Sequence, residues 1–206
     1  MAVPADVLTR TKNHEQVVLW PYLDSATEPH VTIGYGHMVP NFKAFDALPL
    51  VGPDSSTVAD STAKKVAWDA IQAMVKEQRE RTDPSDKFTA THYKAATTVR
   101  LPSDEATKLL SSDLEIAIAA VEETFPDHRG YPAPGKAGLI DMMFNMGASG
   151  FTAALWPNFF LAMKISSPPP DWRAAAGHSK RPQLSDDRNK EIKELFEEAA
   201  RIQGGS

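Results

Sequence analysis

The sequence predicts an α+β fold that is mostly helical. Two short runs near the N-terminus, Leu19–Asp24 and Val31–Tyr35, have the composition of paired strands, and a Gly34-Tyr35-Gly36 turn ends the second. Most of the remaining chain carries apolar residues at helical spacing, interrupted by clusters of proline and glycine. A small sheet joined to many helices belongs to the α+β class.

Length and composition narrow the function classes. The 206 residues, 42% of them hydrophobic, suffice for one sizeable core or for two lobes. No apolar run approaches the roughly 18 residues that span a bilayer, so we expect no membrane insertion. The absence of cysteine suits folding in a reducing cytoplasm, and the first residues show no signal-peptide pattern. A net charge of −5 without a basic stripe argues against nucleic acid as a partner.

The N-terminal region predicts a helix over 6–13, followed directly by the pair His14-Glu15. That pair invites comparison with the zinc motif HExxH. The motif needs a second histidine four residues after the first, where this chain has Val18. We therefore expect no metal and no cofactor.

The middle of the chain alternates breaker zones with helices. Residues 39–56 are predicted to be irregular because prolines and a glycine interrupt them, and residues 58–80 are predicted to form one helix. A second breaker zone at 82–86 leads to an ambiguous segment that ends at Arg100. Ser103 is a good N-cap for a long helix that extends to about Thr124.

The last third of the chain predicts further helices. Lys136–Met146 is almost without polar positions, apart from Asn145, so we expect it to be buried nearly all round. Helical spacing continues over 151–164. Asp171 is predicted to cap a short helix, and Ser185 with Asp186 the last one.

Two carboxylates and one hydroxyl frame the predicted strands. Glu15 precedes the first strand, Asp24 ends it, and Thr32 lies in the second. Two carboxyl groups facing one cleft are the minimal set for cleaving a glycosidic bond, because one gives a proton and the other acts on water or on the sugar cation. These three residues are the candidate catalytic set.

The same residues carry a resemblance to a known family. Glu15, Asp24, Thr32 and the run TIGYGH resemble the catalytic stretch of the phage-type lysozymes, the T-even endolysin family of glycoside hydrolases. The runs SDEATKLLSSDL, GLIDMMFNMG and SKRPQLSDDR resemble, in the family's order, its joining helix, its central helix and the segment between its last two helices. Residues 42–100 are largely unmatched, and the loop between Asp24 and Thr32 is longer than in the family.

The resemblance implies a two-lobed, lysozyme-like fold in a single domain over 1–206. Its hairpin lobe would cover about 14–100, with an elaborated region at 42–100. A joining helix would cover about 102–124 and a helical lobe about 125–203. The catalytic cleft would lie between the two lobes.

The resemblance also implies roles for further residues. Asn145 stands where the family has a substrate-contacting amide, although a satisfied core amide is an alternative for it, and Phe144 and Met38 are further substrate-binding candidates. Arg188 matches an arginine that lies near the catalytic glutamate. His37 and Asp113 fall where the family has a salt bridge between the hairpin lobe and the joining helix. Arg181 replaces a family tryptophan, which predicts altered packing there.

The implied activity is that of a muramidase acting on peptidoglycan glycan strands. Glu15 would be the general acid, Asp24 would stay ionised and activate water, and Thr32 would place that water. The family inverts the anomeric centre, which requires carboxyl groups about 6.5–9.5 Å apart. A lytic transglycosylase, which uses a lone glutamate and no water, and an inactive lysozyme-like binding module are the alternatives.

The biological setting stays open at this point. A phage endolysin, a secreted antibacterial effector and a domain of a larger toxin all fit the sequence. The latter two would add an immunity protein or a delivery machinery as partners. We expect a monomer that is made in the cytoplasm and acts at the bacterial cell wall or in the periplasm.

Overall fold

The computed structural model describes residues 3–54, 56–163 and 169–204, which divide into two compact units. One unit, here the sheet unit, is Glu15–Ser111. The other, here the helical unit, combines Met1–His14 with Ser112–Ser206. Each unit buries its own set of apolar side chains, so each is held by a separate part of the sequence.

A three-stranded antiparallel sheet begins the sheet unit. Its strands β1 (Val18–Leu23), β2 (Val31–Gly34) and β3 (His37–Met38) pair in the order β1-β2-β3. The two predicted strands lie within a residue of their predicted ends, whereas the short third strand was not predicted. Pro21 lies in an irregular stretch of β1, as expected for a residue without a backbone N–H.

The turn between β2 and β3 depends on glycine. Gly34 and Gly36 have φ angles of 70° and 89°, which lie in the left-handed region that residues with a Cβ rarely adopt. The turn brings the chain back at once, so that Ile33 pairs with His37. The TIGYGH run is therefore a tight β-hairpin.

The rest of the sheet unit consists of short helices. They are α2 (Phe42–Ala47), α3 (Ser61–Ala73), α4 (Val75–Glu80) and α5 (Ala90–Tyr93), with a single 3-10 turn at Pro84–Asp86. Two predictions were wrong here. The supposedly irregular 39–56 region contains α2, whose first turn is capped by the Asn41 side chain. The single helix predicted over 58–80 starts three residues later, at Ser61, and is interrupted at Met74.

A long helix, α6 (Ser103–Thr124), follows with the predicted bounds. Its residues up to Ser111 belong to the sheet unit, and those from Ser112 onward belong to the helical unit. Its apolar positions Ala106, Leu110 and Leu114 are buried, as the helical spacing predicted.

The helical unit contains α1 (Ala5–His14), a 3-10 turn (Pro126–Gly130), and α7 to α10. These last four are Ala133–Gly150, Pro157–Met163, Trp172–Gly177 and Asp186–Gly204. Helix α7 is longer than predicted, but Gly147 breaks it with a φ of 67°. The helix predicted over 151–164 is shorter, and Lys164 lies outside the described residues. Asp171 caps α9 as predicted, by accepting a hydrogen bond from the backbone N–H of Ala174.

Close packing between α7 and α10 forms the centre of the helical unit. A Cβ on Gly138 would lie 2.8 Å from the ring of Phe196, so only glycine admits this contact. None of the helices in the described residues has the length and apolar character needed to cross a membrane.

Candidate active site

Three residues form a row across the sheet. Tyr22 of β1 pairs with Thr32 of β2, and Thr32 pairs in turn with Met38 of β3. Directly paired residues of antiparallel strands place their side chains on the same face. Thr32 is buried, whereas Met38 is 52% exposed. Two of the predicted site residues, Thr32 and Met38, are therefore neighbours on one face of the hairpin.

Asp24 follows the end of β1, two residues after Tyr22. Its Oδ1 accepts hydrogen bonds from the backbone N–H groups of Ala26 and His30, each at 3.1 Å. The Nδ1 atom of His30 lies 3.7 Å from the Asp24 Oδ2 atom. The side chain remains 30% exposed, so the carboxylate is held in one orientation and is still accessible to solvent.

The charge of Glu15 influences Tyr22, as the charge of Asp24 does. Burial, and then the charges of Asp24 and Glu15, raise the pKa of Tyr22 to about 12. Coulombic influence falls with distance, so both carboxylates act on the same phenol from nearby. Tyr22 thus lies between Asp24 in the chain and Thr32 across the sheet, and the charge of Glu15 also acts on it, while the joint catalytic role of the three residues stays a prediction.

The chain just before Glu15 is anchored within the helical unit. Glu191 of α10 accepts a hydrogen bond from Arg10 Nη1 at 2.6 Å, and its other carboxylate oxygen lies 2.5 Å from His14 Nε2. The last turn of α1 is thus fixed to α10 at the residue that precedes Glu15. Glu15 therefore follows directly after a residue whose side chain is held by α10.

The hydroxyl of Thr32 is positioned by its own strand. Its Oγ1 donates a hydrogen bond to the His30 carbonyl oxygen at 3.2 Å. With its proton engaged in this way, the oxygen has lone pairs that accept a hydrogen bond from water. Two carboxylates with such a hydroxyl suit acid–base chemistry on a bound water molecule.

Within residues 3–54, 56–163 and 169–204, no three histidine, aspartate or glutamate side chains are grouped as metal ligands would be.

The remaining predicted site residues are distributed over both units. His37 lies in β3 of the sheet unit, and Asp113 lies in the part of α6 that belongs to the helical unit. Their salt bridge stays a prediction. Phe144 and Asn145 are half-buried in α7, and Asn145 is therefore not a fully buried core amide. Their contacts with substrate also stay predictions.

Arg188 lies in a buried charge cluster of the helical unit. Its Nη2 is 3.0 Å from Asp141 Oδ2, and the Nη2 of Arg181 is 2.7 Å from Asp141 Oδ1. Helix 136–146 is predicted to be nearly without polar positions, with Asn145 as the exception. That description missed Asp141, which is 8% exposed and carries the charge that admits both arginines.

Arg181 belongs to the same buried cluster, and the altered packing expected from its replacement of a family tryptophan stays a prediction. Its side chain is completely buried and pairs with Asp141. Its backbone N–H and carbonyl oxygen form hydrogen bonds with the side chain of Asn189. The guanidinium is accommodated because a carboxylate is available on the facing helix. Arg181 and Arg188 thus share one buried carboxylate.

Two residues near Asp24 were missed by the sequence analysis. Tyr22 could have been found, because residues two apart in a strand share a face and Tyr22 precedes Asp24 by two. Gln78 could not, because it is 54 residues from Asp24 in the chain and donates a hydrogen bond to the Asp24 backbone carbonyl.

Comparison with known proteins finds likeness in structure and none in sequence. No protein-family model and no curated protein matches the chain. Among solved structures, a mutant of P22 lysozyme is similar over 95% of this chain and 98% of its own, with a TM-score of 0.52 and 17% sequence identity. The chain has a lysozyme-like fold. This confirms the predicted α+β, mostly helical class with its small sheet.

Proposed function

We propose that the protein is a peptidoglycan hydrolase, a muramidase that cleaves the β-1,4 bond between N-acetylmuramic acid and N-acetylglucosamine. One observation carries this proposal. Within a lysozyme-like fold, the Asp24 carboxylate is oriented by two backbone N–H groups and stays partly exposed, two residues after Tyr22, which pairs with Thr32 and whose pKa is raised in part by the charges of Asp24 and Glu15. Two carboxylates beside one hydroxyl are the groups that glycoside hydrolysis by an acid–base route needs.

In the proposed reaction Glu15 protonates the leaving glycosidic oxygen. Asp24 accepts a proton from the attacking water and stabilises positive charge on the sugar ring, and Thr32 places that water. The hydrogen bonds from Ala26 and His30 orient the Asp24 carboxylate. The water attacks the face opposite the leaving group, so the product anomer is inverted.

Other residues complete the proposal. Asn145, Phe144 and Met38 contact the glycan, and Arg188 orients Glu15. A salt bridge between His37 and Asp113 supports the hairpin. The T-even endolysin type is the proposed subfamily, because the spacing from Glu15 to Asp24 agrees with it. The protein acts at the bacterial cell wall as a monomer.

The direct test is digestion of purified peptidoglycan, with identification of the new ends by mass spectrometry. A muramidase leaves N-acetylmuramic acid at the reducing end. An anhydro-muramic product would establish a lytic transglycosylase instead, and binding without cleavage would establish an inactive module. N-acetylglucosamine at the reducing end would exclude the muramidase.

Replacement of Glu15 tests the general acid. An amide cannot protonate a leaving alkoxide, so Glu15→Gln should lower the rate of wall digestion by about 10²–10⁴-fold. The melting temperature should stay the same or rise slightly, because active-site acids often reduce stability. The matched control is Glu28→Gln, an exposed acid in the loop after Asp24, which should keep its activity. A Glu15→Gln protein that digests walls at the parent rate would overturn the assignment.

A further inference from the structure

The elaborated region at 42–100 contacts the loop that carries Asp24. We define the Asp24 loop as residues 24–30 and the supporting segment as residues 75–88, which comprise α4 and the chain after it. Gln78, Arg79 and Lys87 of the supporting segment all reach the Asp24 loop. The region without a counterpart in the lysozyme resemblance is thus attached to a candidate catalytic residue.

Gln78 makes the most specific of these contacts. It is completely buried, and its Nε2 donates hydrogen bonds to the Asp24 carbonyl oxygen at 3.2 Å and to the Phe88 carbonyl oxygen at 3.4 Å. Its Oε1 accepts a hydrogen bond from the Phe88 backbone N–H at 3.0 Å. Both protons of the amide are used, so the side chain has little freedom to turn.

Phe88, the other partner of Gln78, is itself held in place. Its ring stacks on that of His92 with centroids 3.7 Å apart, and the Arg81 guanidinium lies 3.8 Å from its centroid. Gln78 therefore connects the Asp24 backbone to a fixed point in the supporting segment. Buried hydrogen bonds of this kind are costly to break, because the groups left behind have no water to bind.

The two other contacts are more exposed. Lys87 Nζ donates to the Ala26 carbonyl oxygen at 2.9 Å and to the Gln78 carbonyl oxygen at 3.4 Å. Arg79 pairs with Glu28 at 2.6 Å, with both side chains mostly in solvent. Exposed ion pairs contribute little to stability, so the order of importance is Gln78, then Lys87, then Arg79.

We propose that Gln78 is a positioning residue for Asp24, and that Gln78 and Lys87 of the supporting segment, but not the exposed Arg79, align the Asp24 loop. The proposal rests on the proposed function, since Asp24 must act in the reaction for its alignment to matter. Gln78 bonds the backbone carbonyl of Asp24 and not its carboxylate, which is the group proposed to react. Displacing a catalytic group by about 1 Å can lower a rate about 10²-fold, so the loss of this anchor should be visible in kcat.

The experiment compares Gln78→Met, which keeps the length of the side chain and removes its amide, with the neighbouring control Arg79→Gln. On solubilised peptidoglycan, Gln78→Met should lower kcat by about 10- to 100-fold with little change in KM, and Arg79→Gln should leave both unchanged. Lys87→Met should give a smaller loss of kcat. If Gln78→Met does not fold, Lys87→Met still tests whether the supporting segment aligns the Asp24 loop.

A double variant separates positioning from a merely structural role. If Gln78 acts through Asp24, adding Gln78→Met to Asp24→Asn should cost little of the residual activity. A variant that only lowers the folded fraction would reduce activity by the same factor in both backgrounds. Equal losses in the two backgrounds would therefore overturn the proposal, as would an unchanged kcat in Gln78→Met.

Hydrogen exchange distinguishes failure of this proposal from failure of the proposed function. The amides of Ala26 and His30 donate to Asp24 Oδ1 and report directly on the loop. Gln78→Met should speed their exchange, and Arg79→Gln should not. If the parent protein does not cleave peptidoglycan, the proposed function fails. If the exchange of these two amides is also unchanged in Gln78→Met, Gln78 does not hold the Asp24 loop, and this proposal fails as well.

Discussion

Asp24 and Asp141 are both held by hydrogen bonds, but in opposite ways. Asp24, in the sheet unit, accepts from two backbone N–H groups and stays partly open to solvent. Asp141, in the helical unit, is buried between the guanidinium groups of Arg181 and Arg188. An aspartate that is oriented yet accessible suits chemistry, whereas one enclosed by buried cations suits a structural role.

This difference indicates whether the negative charge of each aspartate is needed for folding. The two backbone donors of Asp24 would be satisfied equally well by an amide oxygen, so its negative charge is not needed to hold the loop. The two arginines around Asp141 lose an opposite charge if that residue is neutralised, and little water is available to replace it. We therefore expect neutralisation to affect stability at one site and activity at the other.

The largest expected effect on stability is at Asp141. Asp141→Asn should lower the free energy of unfolding by about 3–5 kcal/mol, because two buried cations lose the negative charge of the carboxylate between them. Urea denaturation, followed by circular dichroism, measures the change. Asp187→Asn, an exposed aspartate in the first turn of α10, is the control and should cost no more than about 1 kcal/mol. Equal midpoints for the two variants would show that the charge cluster does not stabilise the helical unit.

The opposite pattern is expected at Asp24. Asp24→Asn should lower turnover of peptidoglycan by about 10²–10⁴-fold while changing the free energy of unfolding by less than about 1 kcal/mol. Parallel activity and denaturation measurements on one preparation check both halves. A variant that keeps its activity would remove Asp24 from the mechanism, and one that unfolds would give it the structural role now assigned to Asp141.

Proton NMR of a short glycan shows which anomer forms first, and so tests the role assigned to Asp24. If Asp24 activates water in an inverting reaction, the α-anomer of the new reducing end should appear first in the parent protein. Early formation of the β-anomer would mean a retaining route, in which Asp24 has a different role.

The sequence predicts the elements better than their interruptions. The hairpin and α6 follow from residue spacing and from glycine and capping residues, which are local signals. The break between α3 and α4 has no such signal, because neither glycine nor proline marks it and Met74 keeps helical angles. Helix α2 was missed because the breakers around it outweighed the Asn41 cap in the prediction.

Candidate catalytic residues are likewise easier to predict than their supports. Glu15, Asp24 and Thr32 are visible because their chemistry depends on residue type and on short spacing. Gln78 is not, because a glutamine that binds a backbone carbonyl leaves no pattern in the residue it supports. The partnership of Arg181 with Asp141 joins the segment between α9 and α10 to α7, 40 residues away in the chain, so it is also invisible before the chain is packed.

The smallest expected effect uses Tyr22 as a reporter of the two carboxylates. Burial is the main reason that its pKa is raised to about 12, and the charges of Asp24 and Glu15 add to it in that order. Asp24→Asn should therefore lower the Tyr22 pKa more than Glu15→Gln, and both should leave it above the ordinary value near 10. Ultraviolet titration of phenolate, as the difference from a Tyr22→Phe protein, measures it.

The sign of the linked stability follows from the raised pKa. The folded protein keeps the Tyr22 proton at a pH where the unfolded chain has lost it, so this contribution is complete below pH 10 and is lost as the pH rises toward 12. Asp24→Asn or Glu15→Gln should lower the pH at which this contribution to stability is fully lost, because each lowers the Tyr22 pKa of the folded protein. Glu28→Gln should leave that pH unchanged. If the Tyr22 titration is identical in the parent, Asp24→Asn and Glu15→Gln proteins, the two carboxylates do not share this phenol. The arrangement that supports the proposed function would then be wrong, whatever the activity measurements give.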